Sequence, residues 1–348
     1  MKCSIVILNW NGAEMLRRFL PSVVRCCPAD AEVVVADNGS TDSSAEMLCE
    51  YFPEIKTILF AENYGFAEGY NRALAEIDSE YCVLLNSDVE VTEHWLEPLL
   101  DYMDAHPEVA AVQPKVLAYY DKEKKQPGEP ILFEHAGAAG GYMDAWGYPY
   151  CRGRVMGQLE TDTHQYDTPA EIFWATGACL LTRTRIFNEL GGLDKDFFAH
   201  MEEIDYCWRL QCRGYQLMCL PCSTVYHLGG GALPYESPRK TYLNFRNCLL
   251  MLYKNLPTSR LCWLLPLRLV LDYVAALQYL MKSQKANARE VLHARRDYHK
   301  MKPLMRAKRK ENLSEAVVAL PRTIGPTSIL LHFFLLRHRT FAQIHLNE

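Results

Sequence analysis

The first predicted strand of this 348-residue chain is followed by no glycine-rich loop. Residues 4–8 form a short apolar run, and the turn after it, residues 9–12, contains one glycine and a tryptophan. A dinucleotide-binding enzyme needs several glycines here, so that the backbone can approach a pyrophosphate. The missing loop argues against NAD binding, even though Asp37 lies where a ribose-binding acid would be expected.

The sequence also has little that would carry the protein into or across a membrane. The first predicted strand starts by Cys3, which leaves no room for a charged and apolar leader. The most apolar segment, residues 261–281, is interrupted by Arg268 and Asp272. Its longest uncharged run is shorter than the roughly 18–20 residues that span a bilayer. We therefore expect neither a signal peptide nor a spanning segment.

A disulfide pattern is missing as well. The thirteen cysteines form an odd and scattered set, which argues against a disulfide framework and for a reducing cytosol. Cys219 and Cys222 have the spacing of half a zinc site, but no second pair lies nearby in the sequence. We expect these two cysteines to be packing residues.

The N-terminal part does contain a repeated strand–turn–helix pattern. Apolar runs at residues 4–8, 32–36, 56–60 and 83–85 each end in a polar turn, and helical patterns follow the first three. This alternation predicts an α/β fold with a doubly wound, mostly parallel sheet. Right-handed crossovers place the turns along one sheet edge, where they form a nucleotide-sized crevice. The composition fits one large domain, residues 1–255, with a tail, residues 256–348.

The most informative turn is Asn86-Ser87-Asp88, which follows the apolar run 83–85. A carboxylate at the end of a buried strand is a hard oxygen ligand that suits Mg²⁺ or Mn²⁺ carrying a substrate phosphate. An aspartate in such a turn is also a common structural residue. Because the crevice lacks a glycine-rich loop, a metal on Asp88 is the simplest way to hold a diphosphate.

These turns together resemble the family 2 glycosyltransferases of the GT-A fold, above all the bacterial rhamnosyltransferase-like branch that builds cell-surface polysaccharides. The resemblance covers residues 3–255, with residues 1–118 as the nucleotide-sugar half and residues 119–255 as the acceptor half. The motifs that carry it are residues 9–11, 37–42, 63–71, 86–88, 176–179, 191–194, 197–209 and His227.

The resemblance implies a nucleotide-sugar site in the first half. Asp37 would accept the N3–H of a uracil or thymine; alternatively it could cap the helix that starts near Ser43, a role that Asp42 fills better. The residues that the resemblance assigns to the nucleotide-sugar are Asn9, Asn11, Asp37, Asn38, Ser40, Asn63, Gly65, Asn71, Asn86 and Ser87.

The resemblance also implies a divalent cation, Mg²⁺ or Mn²⁺, held by Asp88 and His227. Asp88 matches the last acid of a motif that is often Asp-x-Asp, and Asn86 stands in place of the first acid. The lower charge implies weaker metal binding, with the substrate diphosphate supplying part of the affinity. Glycines at 229–231 favour a ligand contact for His227, although a lone histidine is also common in a protein core.

The catalytic base is implied to be Glu203, within Glu202-Glu203-Ile204-Asp205. The family pattern is usually Glu-Asp-x-Asp with the second acid as base, so Glu203 is one methylene longer than usual. An inverting transfer needs a carboxylate to take the proton of the acceptor hydroxyl, and Glu202 and Asp205 are assigned to the same catalytic group. The alternative is a solvated helix start, because acids favour a helix N-terminus.

Acceptor contacts are expected between residues 119 and 171 and in the turn Thr176-Gly177-Ala178. Residues 137–157 are rich in glycine and aromatic residues, which suit sugar faces, and Arg152 and Arg154 suit a phosphate. A structural insertion that packs over the sheet explains the same composition equally well.

The tail combines an apolar and a basic segment. Residues 282–311 contain eleven Lys/Arg and three Asp/Glu, a local net charge of +8 in a chain of net charge −5. An apolar helix beside a basic one predicts a protein that lies on the anionic inner face of the cell membrane. A helical subdomain or a dimer contact is the alternative, and the acidic remainder argues against nucleic-acid binding.

Two functions remain open from the sequence. The first is a metal-dependent inverting glycosyltransferase that moves a sugar, with rhamnose as one candidate, from a UDP- or dTDP-sugar to a lipid-linked or polysaccharide acceptor. The second is a catalytically silent GT-A domain that binds nucleotide-sugar or scaffolds an assembly complex, an alternative kept open by Glu203 and Asn86.

Overall fold

The computed structural model describes residues 1–120, 129–229 and 237–345. Its strands are β1 (Cys3–Asn9), β2 (Ala31–Asp37), β3 (Lys56–Leu59), β4 (Tyr81–Asn86), β5 (Val89–Val91), β6 (Val109–Ala118), β7 (Gly141–Met143), β8 (Pro149–Cys151), β9 (Arg154–Val155), β10 (Gln158–Leu159), β11 (Ala170–Glu171), β12 (Cys179–Arg183) and β13 (Gln216–His227). Its α-helices are α1 (Ala13–Arg25), α2 (Ser44–Tyr51), α3 (Gly65–Ala75), α4 (Glu97–Ala105), α5 (Thr184–Glu189), α6 (Glu202–Cys212), α7 (Pro238–Asn255), α8 (Thr258–Met281), α9 (Lys285–Met301), α10 (Met305–Ser314) and α11 (Phe341–His345).

The central sheet has the strand order β11-β13-β6-β12-β4-β1-β2-β3, and β5 pairs with β13. β1 is parallel to both β2 and β4, β2 is parallel to β3, and β6 is parallel to β13. β12 lies between β4 and β6 and is antiparallel to both. The predicted α/β fold with a mostly parallel sheet is therefore confirmed.

Both faces of the sheet are covered by helices, which explains why its strands read as continuous apolar runs. On β1, Ile5 and Ile7 join the core that contains the apolar side chains of α1, α2 and α4. Val6 points to the other face and joins the core that contains residues of α3, α6 and α7. The polar residues at the strand ends belong to neither apolar core and lie at the edge where the turns converge.

The glycine- and aromatic-rich stretch forms a second, small sheet of order β10-β9-β8-β7. Gly141 bridges to Trp174, and the ring of Trp174 fills the space that a Cβ on Gly141 would need. This stretch is therefore an insertion that packs against the main sheet. Residues 121–128, part of the stretch 119–171 in which acceptor contacts are expected, lie outside the described residues.

The tail helices pack on the large domain and on each other. α7 packs against α9 and α10, and α8 packs against α9. The two charges that interrupt the apolar run of α8 point inward. Asp272 is paired with Arg295 of α9, and Arg268 donates to the carbonyls of Trp146 and Gly147 at 3.2 and 3.1 Å.

The expectation that this run is too short to cross a bilayer needs correction. α8 is one continuous helix of 24 residues, and by length and composition alone it is long and apolar enough to span a membrane. Arg268 and Asp272 divide the uncharged run in the sequence, but a helix can bury such residues on the one face that packs against protein. An apolar face that remains exposed includes Val270, Val274 and Leu277.

A buried network of ion pairs joins the tail to the centre of the molecule. Lys254 Nζ on α7 lies 2.6 Å from Asp194 Oδ2 and 2.7 Å from Asp205 Oδ2. Lys308 of α10 binds the other oxygen of Asp194 and also Asp196. Some of the basic tail residues are therefore packing residues, as the helical-subdomain alternative requires.

We predict that Lys254→Met destabilises the protein strongly. The change keeps a similar shape but leaves Asp194 and Asp205 without their shared cation, and unpairing a buried charge costs about 3–5 kcal/mol. Lys308 and Arg209 remain as partial counter-ions, so the loss should fall at the lower end of that range.

Urea unfolding of the wild type, Lys254→Met and the exposed control Lys195→Met measures this effect. The control should change the free energy of unfolding by no more than about 0.5 kcal/mol. Equal stability of all three proteins would mean that the network contributes nothing.

Candidate functional site

The carboxyl ends of the parallel strands form the rim of the site. Asn9 at the end of β1 lies beside Asp37 at the end of β2, and Leu8 lies beside Asn86 at the end of β4. Parallel pairing in register thus brings together polar residues from three distant parts of the sequence.

Asp37 is held in a fixed orientation at this rim. Asn9 Nδ2 donates to Asp37 Oδ2 at 2.9 Å, and the backbone N–H of Ser40 donates to Asp37 Oδ1 at 2.8 Å. Asp42, and not Asp37, bonds the backbone N–H groups of Ala13 and Ser44 at the starts of α1 and α2. Asp42 therefore has the helix-capping role. Asp37 bonds only to residues of the rim in these contacts.

Several of the asparagines assigned to the nucleotide-sugar shape the rim through internal hydrogen bonds. Asn11 Oδ1 accepts from the N–H of Thr41 at 2.7 Å. Asn38 Nδ2 donates to Asn63 Oδ1 and to the carbonyl of Gly65. Asn71 is paired with both backbone polar groups of Leu193, so it joins the two halves of the domain.

Asp88 and His227 lie side by side, as the resemblance implied. His227 Nε2 is 3.1 Å from Asp88 Oδ1 and 3.4 Å from Asn86 Nδ2. Both Asp88 and His227 are buried. Ser87 lies close to Gly12, whose missing Cβ would be 3.8 Å from Ser87 Oγ. Two of the three glycines after His227 lie outside the described residues.

This donor set fits a divalent cation. A carboxylate oxygen and an imidazole nitrogen lie 3.1 Å apart, so both could bind one cation as neighbouring ligands, and these atom types suit Mn²⁺ or Mg²⁺. Burial lowers the pKa of His227, but the adjacent carboxylates of Asp88 and Glu134 outweigh burial and raise the pKa to about 10. The surroundings of this imidazole therefore strongly favour positive charge at this point.

Glu134 was not identified from the sequence. Its Oε2 lies 3.4 Å from His227 Nδ1, on the opposite side of the ring from Asp88, and the residue is buried. The available signal was a single acid inside the mostly apolar stretch 131–139. Nothing local in that stretch indicates which side chain the acid contacts.

The acidic helix α6 starts from a strained turn. Phe198, His200 and Met201 have φ values of 67°, 70° and 73°, a left-handed region that side chains with a Cβ disfavour. Asn247 of α7 holds this turn, because its Nδ2 lies 2.7 to 3.0 Å from the carbonyls of Phe197, Ala199 and His200. The sequence motif did not indicate this support.

Glu203 lies against the turn Thr176–Ala178 and is partly buried. An added Cβ on Gly177 would lie 3.9 Å from the Cβ of Glu203, and Ala178 next to Gly177 accepts from the N–H of Asn86 at 3.0 Å. Thr176 Oγ1 in turn accepts from the N–H of Ala178. The turn Thr176–Ala178 therefore connects the turn Asn86–Asp88 to the acidic helix α6.

Burial governs the ionisation of the two glutamates. It raises the pKa of Glu203 to about 7, and it raises the pKa of Glu202 well above its usual value, with the charge of Glu203 adding to the effect. The Oε2 atoms of both residues have no hydrogen-bond partner among the residues that the structure describes. Near neutral pH, Glu203 can therefore take up and release a proton.

Asp205, which was expected in the same catalytic group, is engaged by other side chains. Asp205 is fully buried and its carboxylate is occupied by Arg209, Lys254 and Asn255 at 2.7 to 2.9 Å. It belongs to the ion network beneath α6, because residue 205 lies on the helix face that packs against α7.

The phosphate role expected for Arg152 and Arg154 is also not supported. Arg152 Nε donates to the carbonyl of Ala139, and its Nη2 donates to that of Thr168 at 3.0 Å. Arg154 Nη1 donates to the carbonyl of Met156. Both side chains are buried and hold the small sheet together. The Cys219 and Cys222 pair is not a metal site either: Cys219 is buried and Cys222 is exposed on β13.

Comparison with known proteins places this chain in a family. The family described as "Glycosyl transferase family 2" matches residues 4–190. An N-acetylglucosaminyl-diphospho-decaprenol L-rhamnosyltransferase of Mycobacterium tuberculosis is 24% identical over 242 residues, 64% of this chain and 75% of that protein. The low-salt glycan biosynthesis hexosyltransferase Agl10 of Haloferax volcanii is 23% identical over 249 residues, 70% of this chain and 73% of that protein.

Solved structures share the fold. GalNAc-T7 with UDP, GalNAc and Mn²⁺ superimposes with a TM-score of 0.58 at 18% identity, covering 86% of this chain and 54% of that chain. Staphylococcus aureus TarS 1–349 in complex with UDP-GlcNAc superimposes with a TM-score of 0.54 at 15% identity, covering 90% of this chain and 89% of that chain. The GT-A fold is thereby confirmed.

Proposed function

The chain belongs to glycosyl transferase family 2, and on that basis we propose that it is an inverting, metal-dependent glycosyltransferase. It moves a sugar from a UDP- or dTDP-sugar to a lipid-linked or polysaccharide acceptor in cell-surface glycan synthesis, and rhamnose is one candidate sugar. The observation that carries the proposal is the contact chain from Asn86 through Ala178 and Gly177 to Glu203. It sets a proton acceptor beside the turn Asn86–Asp88.

Binding of the nucleotide-sugar donor is assigned to the residues of the rim. Asp37 has a fixed carboxylate that can accept the N3–H of a uracil or thymine ring, which cytosine lacks. Two of the structures are named as complexes with UDP or UDP-GlcNAc, and one relative is named for a lipid-linked diphosphate acceptor. These names support the choice of donor and acceptor class.

The chemistry is divided between the two ends of the contact chain. Asp88 and His227 would hold Mg²⁺ or Mn²⁺, which neutralises charge on the leaving diphosphate. Glu203 takes the proton of the acceptor hydroxyl as its oxygen attacks the anomeric carbon from the face opposite the diphosphate. Glu202, which is more deeply buried, stays protonated beside it and keeps a second negative charge away from the base.

We expect Asp88→Ala to abolish metal-dependent nucleotide binding. A thermal-shift panel of UDP- and dTDP-sugars with and without Mn²⁺ should show metal-dependent stabilisation of the wild type. Asp88→Ala should lose it, because the carboxylate is the charged oxygen ligand of the site, while the exposed control Asp101→Ala should keep it.

The same panel should be followed by a donor-hydrolysis and transfer assay with the purified protein. A wild type that binds donor but neither hydrolyses nor transfers it would support the catalytically silent alternative. An unchanged Mn²⁺-dependent shift in Asp88→Ala would contradict the metal assignment.

Glu203→Gln should separate catalysis from binding. The amide keeps the shape but cannot accept the proton, so transfer should fall by about 10²- to 10⁴-fold while donor affinity is kept. In the wild type, kcat/KM should rise as the pH increases through about 7, because Glu203 must lose its proton to act as base. The variant should lose this rise.

Glu202→Gln is the matched control for this measurement. The pKa of Glu202 is raised well above its usual value, which favours the protonated form, so the substitution should change the rate far less. A large loss in Glu202→Gln with none in Glu203→Gln would move the base by one residue. Loss of donor binding in Glu203→Gln would instead place Glu203 in the donor site.

We also propose that the protein associates peripherally with the inner face of the cell membrane. The exposed apolar face of α8 includes Val270, Val274 and Leu277, and it is followed by the exposed Lys282 and Lys285. Each basic residue near an anionic lipid surface contributes about 1 kcal/mol. A lipid-linked acceptor would be within reach there.

Co-sedimentation with anionic and neutral vesicles at low and high salt tests this proposal. Anionic vesicles should bind most protein at low salt, and salt should weaken binding because it screens charges over about 8–10 Å. The variant Lys282→Glu/Lys285→Glu should lose the salt-sensitive part of vesicle binding. The variant Val274→Ser/Leu277→Ser should lose the salt-resistant part. Equal recovery in the supernatant under all conditions would indicate a protein-packing face.

A further inference from the structure

The imidazole of His227 lies between two carboxylates. Its Nε2 is 3.1 Å from Asp88 Oδ1, and its Nδ1 is 3.4 Å from Glu134 Oε2. Nδ1 has no closer hydrogen-bond partner in the parts of the chain that the structure describes. The two nitrogens of one ring therefore face two different acids, and only Asp88 is on the side of the proposed cation.

Glu134 is fixed in place by the sheet. Its backbone N–H donates to the carbonyl of Val116 on β6 at 3.1 Å, and its carboxylate accepts from the N–H of Ala136. His227 pairs with Ala118 on the other side of the same strand. β6 thus sets the separation of Glu134 and His227, and the position of Glu134 does not depend on a bound ligand.

A neutral imidazole has one N–H and one nitrogen lone pair, and its surroundings decide which nitrogen carries the hydrogen. Both carboxylates can only accept a hydrogen bond, so without a cation each favours a hydrogen on the ring nitrogen that it faces. A cation bound to Nε2 takes the lone pair of that nitrogen, and the remaining hydrogen is then on Nδ1, which faces Glu134. Histidine ligands in metal sites are commonly held by an acceptor in this way.

We propose that Glu134 is a positioning residue that fixes the ring orientation and tautomer of His227, so that Nε2 and Asp88 together can bind a divalent cation. This inference rests on the metal dependence in the proposed function and adds to it the residue that prepares the site. Glu134 itself does not bind the cation, because His227 lies between them.

Direct measurement of Mn²⁺ binding tests the inference without relying on turnover. Free Mn²⁺ can be titrated by electron paramagnetic resonance in the presence of UDP for the wild type, Glu134→Leu and Glu134→Gln. Glu134→Leu should bind Mn²⁺ about 10- to 100-fold more weakly. Glu134→Gln should lose less, because its amide oxygen can still accept the hydrogen of Nδ1 but carries no charge.

Glu160→Gln is the matched control for loss of a partly buried carboxylate. The carboxylate of Glu160 accepts from the hydroxyl of Tyr166 and the N–H of Phe341. The backbone carbonyl of Glu160 accepts from the N–H of Phe133, beside Glu134, and the substitution does not change that carbonyl, so Mn²⁺ affinity should be unchanged. In a His227→Ala background, Glu134→Leu should have no further effect on Mn²⁺ affinity, because the residue acts through His227.

The outcomes separate this inference from the proposed function. Wild-type affinity in Glu134→Leu, together with weakened affinity in His227→Ala, would overturn the positioning role and leave the metal site intact. An equal loss of Mn²⁺ affinity on Glu134→Leu in the wild-type and His227→Ala backgrounds would also overturn the positioning role. No UDP-dependent Mn²⁺ binding by the wild type would remove the metal site and the inference together. If Glu134→Leu fails to fold, an unchanged affinity in Glu134→Gln relative to Glu160→Gln would overturn the role.

Discussion

The parallel, in-register pairing of β1 with β2 and β4 is the constraint on which the site depends. It sets Asn9 beside Asp37 and the end of β1 beside Asn86. A shift of one residue in either pair would turn every side chain of that strand to the other face. The apolar residues on both faces prevent such a shift, because each would then meet the wrong core. The chemistry at the rim is therefore fixed by the packing of the sheet behind it.

The features that could be read from the sequence are local ones. An apolar run followed by a polar turn marks a strand end without knowledge of any partner, so Asp37 and Asp88 could be placed at the sheet edge. The acids of α6 were recognisable as a motif, but residue type alone did not separate Glu203 from Asp205. That distinction depends on Lys254, which is contributed by another helix.

Other features could not be read because they depend on contacts between distant segments. Arg152 and Arg154 look suited to a phosphate as free side chains, yet both are buried and donate to backbone carbonyls of their own insertion. The same holds for Arg268 and Asp272 in α8, which divide an apolar run in the sequence but lie on its buried face. A charged residue that becomes buried needs a partner, and only the fold shows which residue that partner is.

The strained turn before α6 has a consequence for the order in which the protein matures during synthesis. Its left-handed residues cost about 1–2 kcal/mol each, and the side chain that holds them, Asn247, follows α6 in the chain. Domains emerge from the ribosome with the N-terminal part first. The acids of α6 reach their final position only after α7 has docked, and Asp88 meets His227 only after β13 has formed. A nascent chain would thus complete both parts of the site late, when the last part of the large domain has been made.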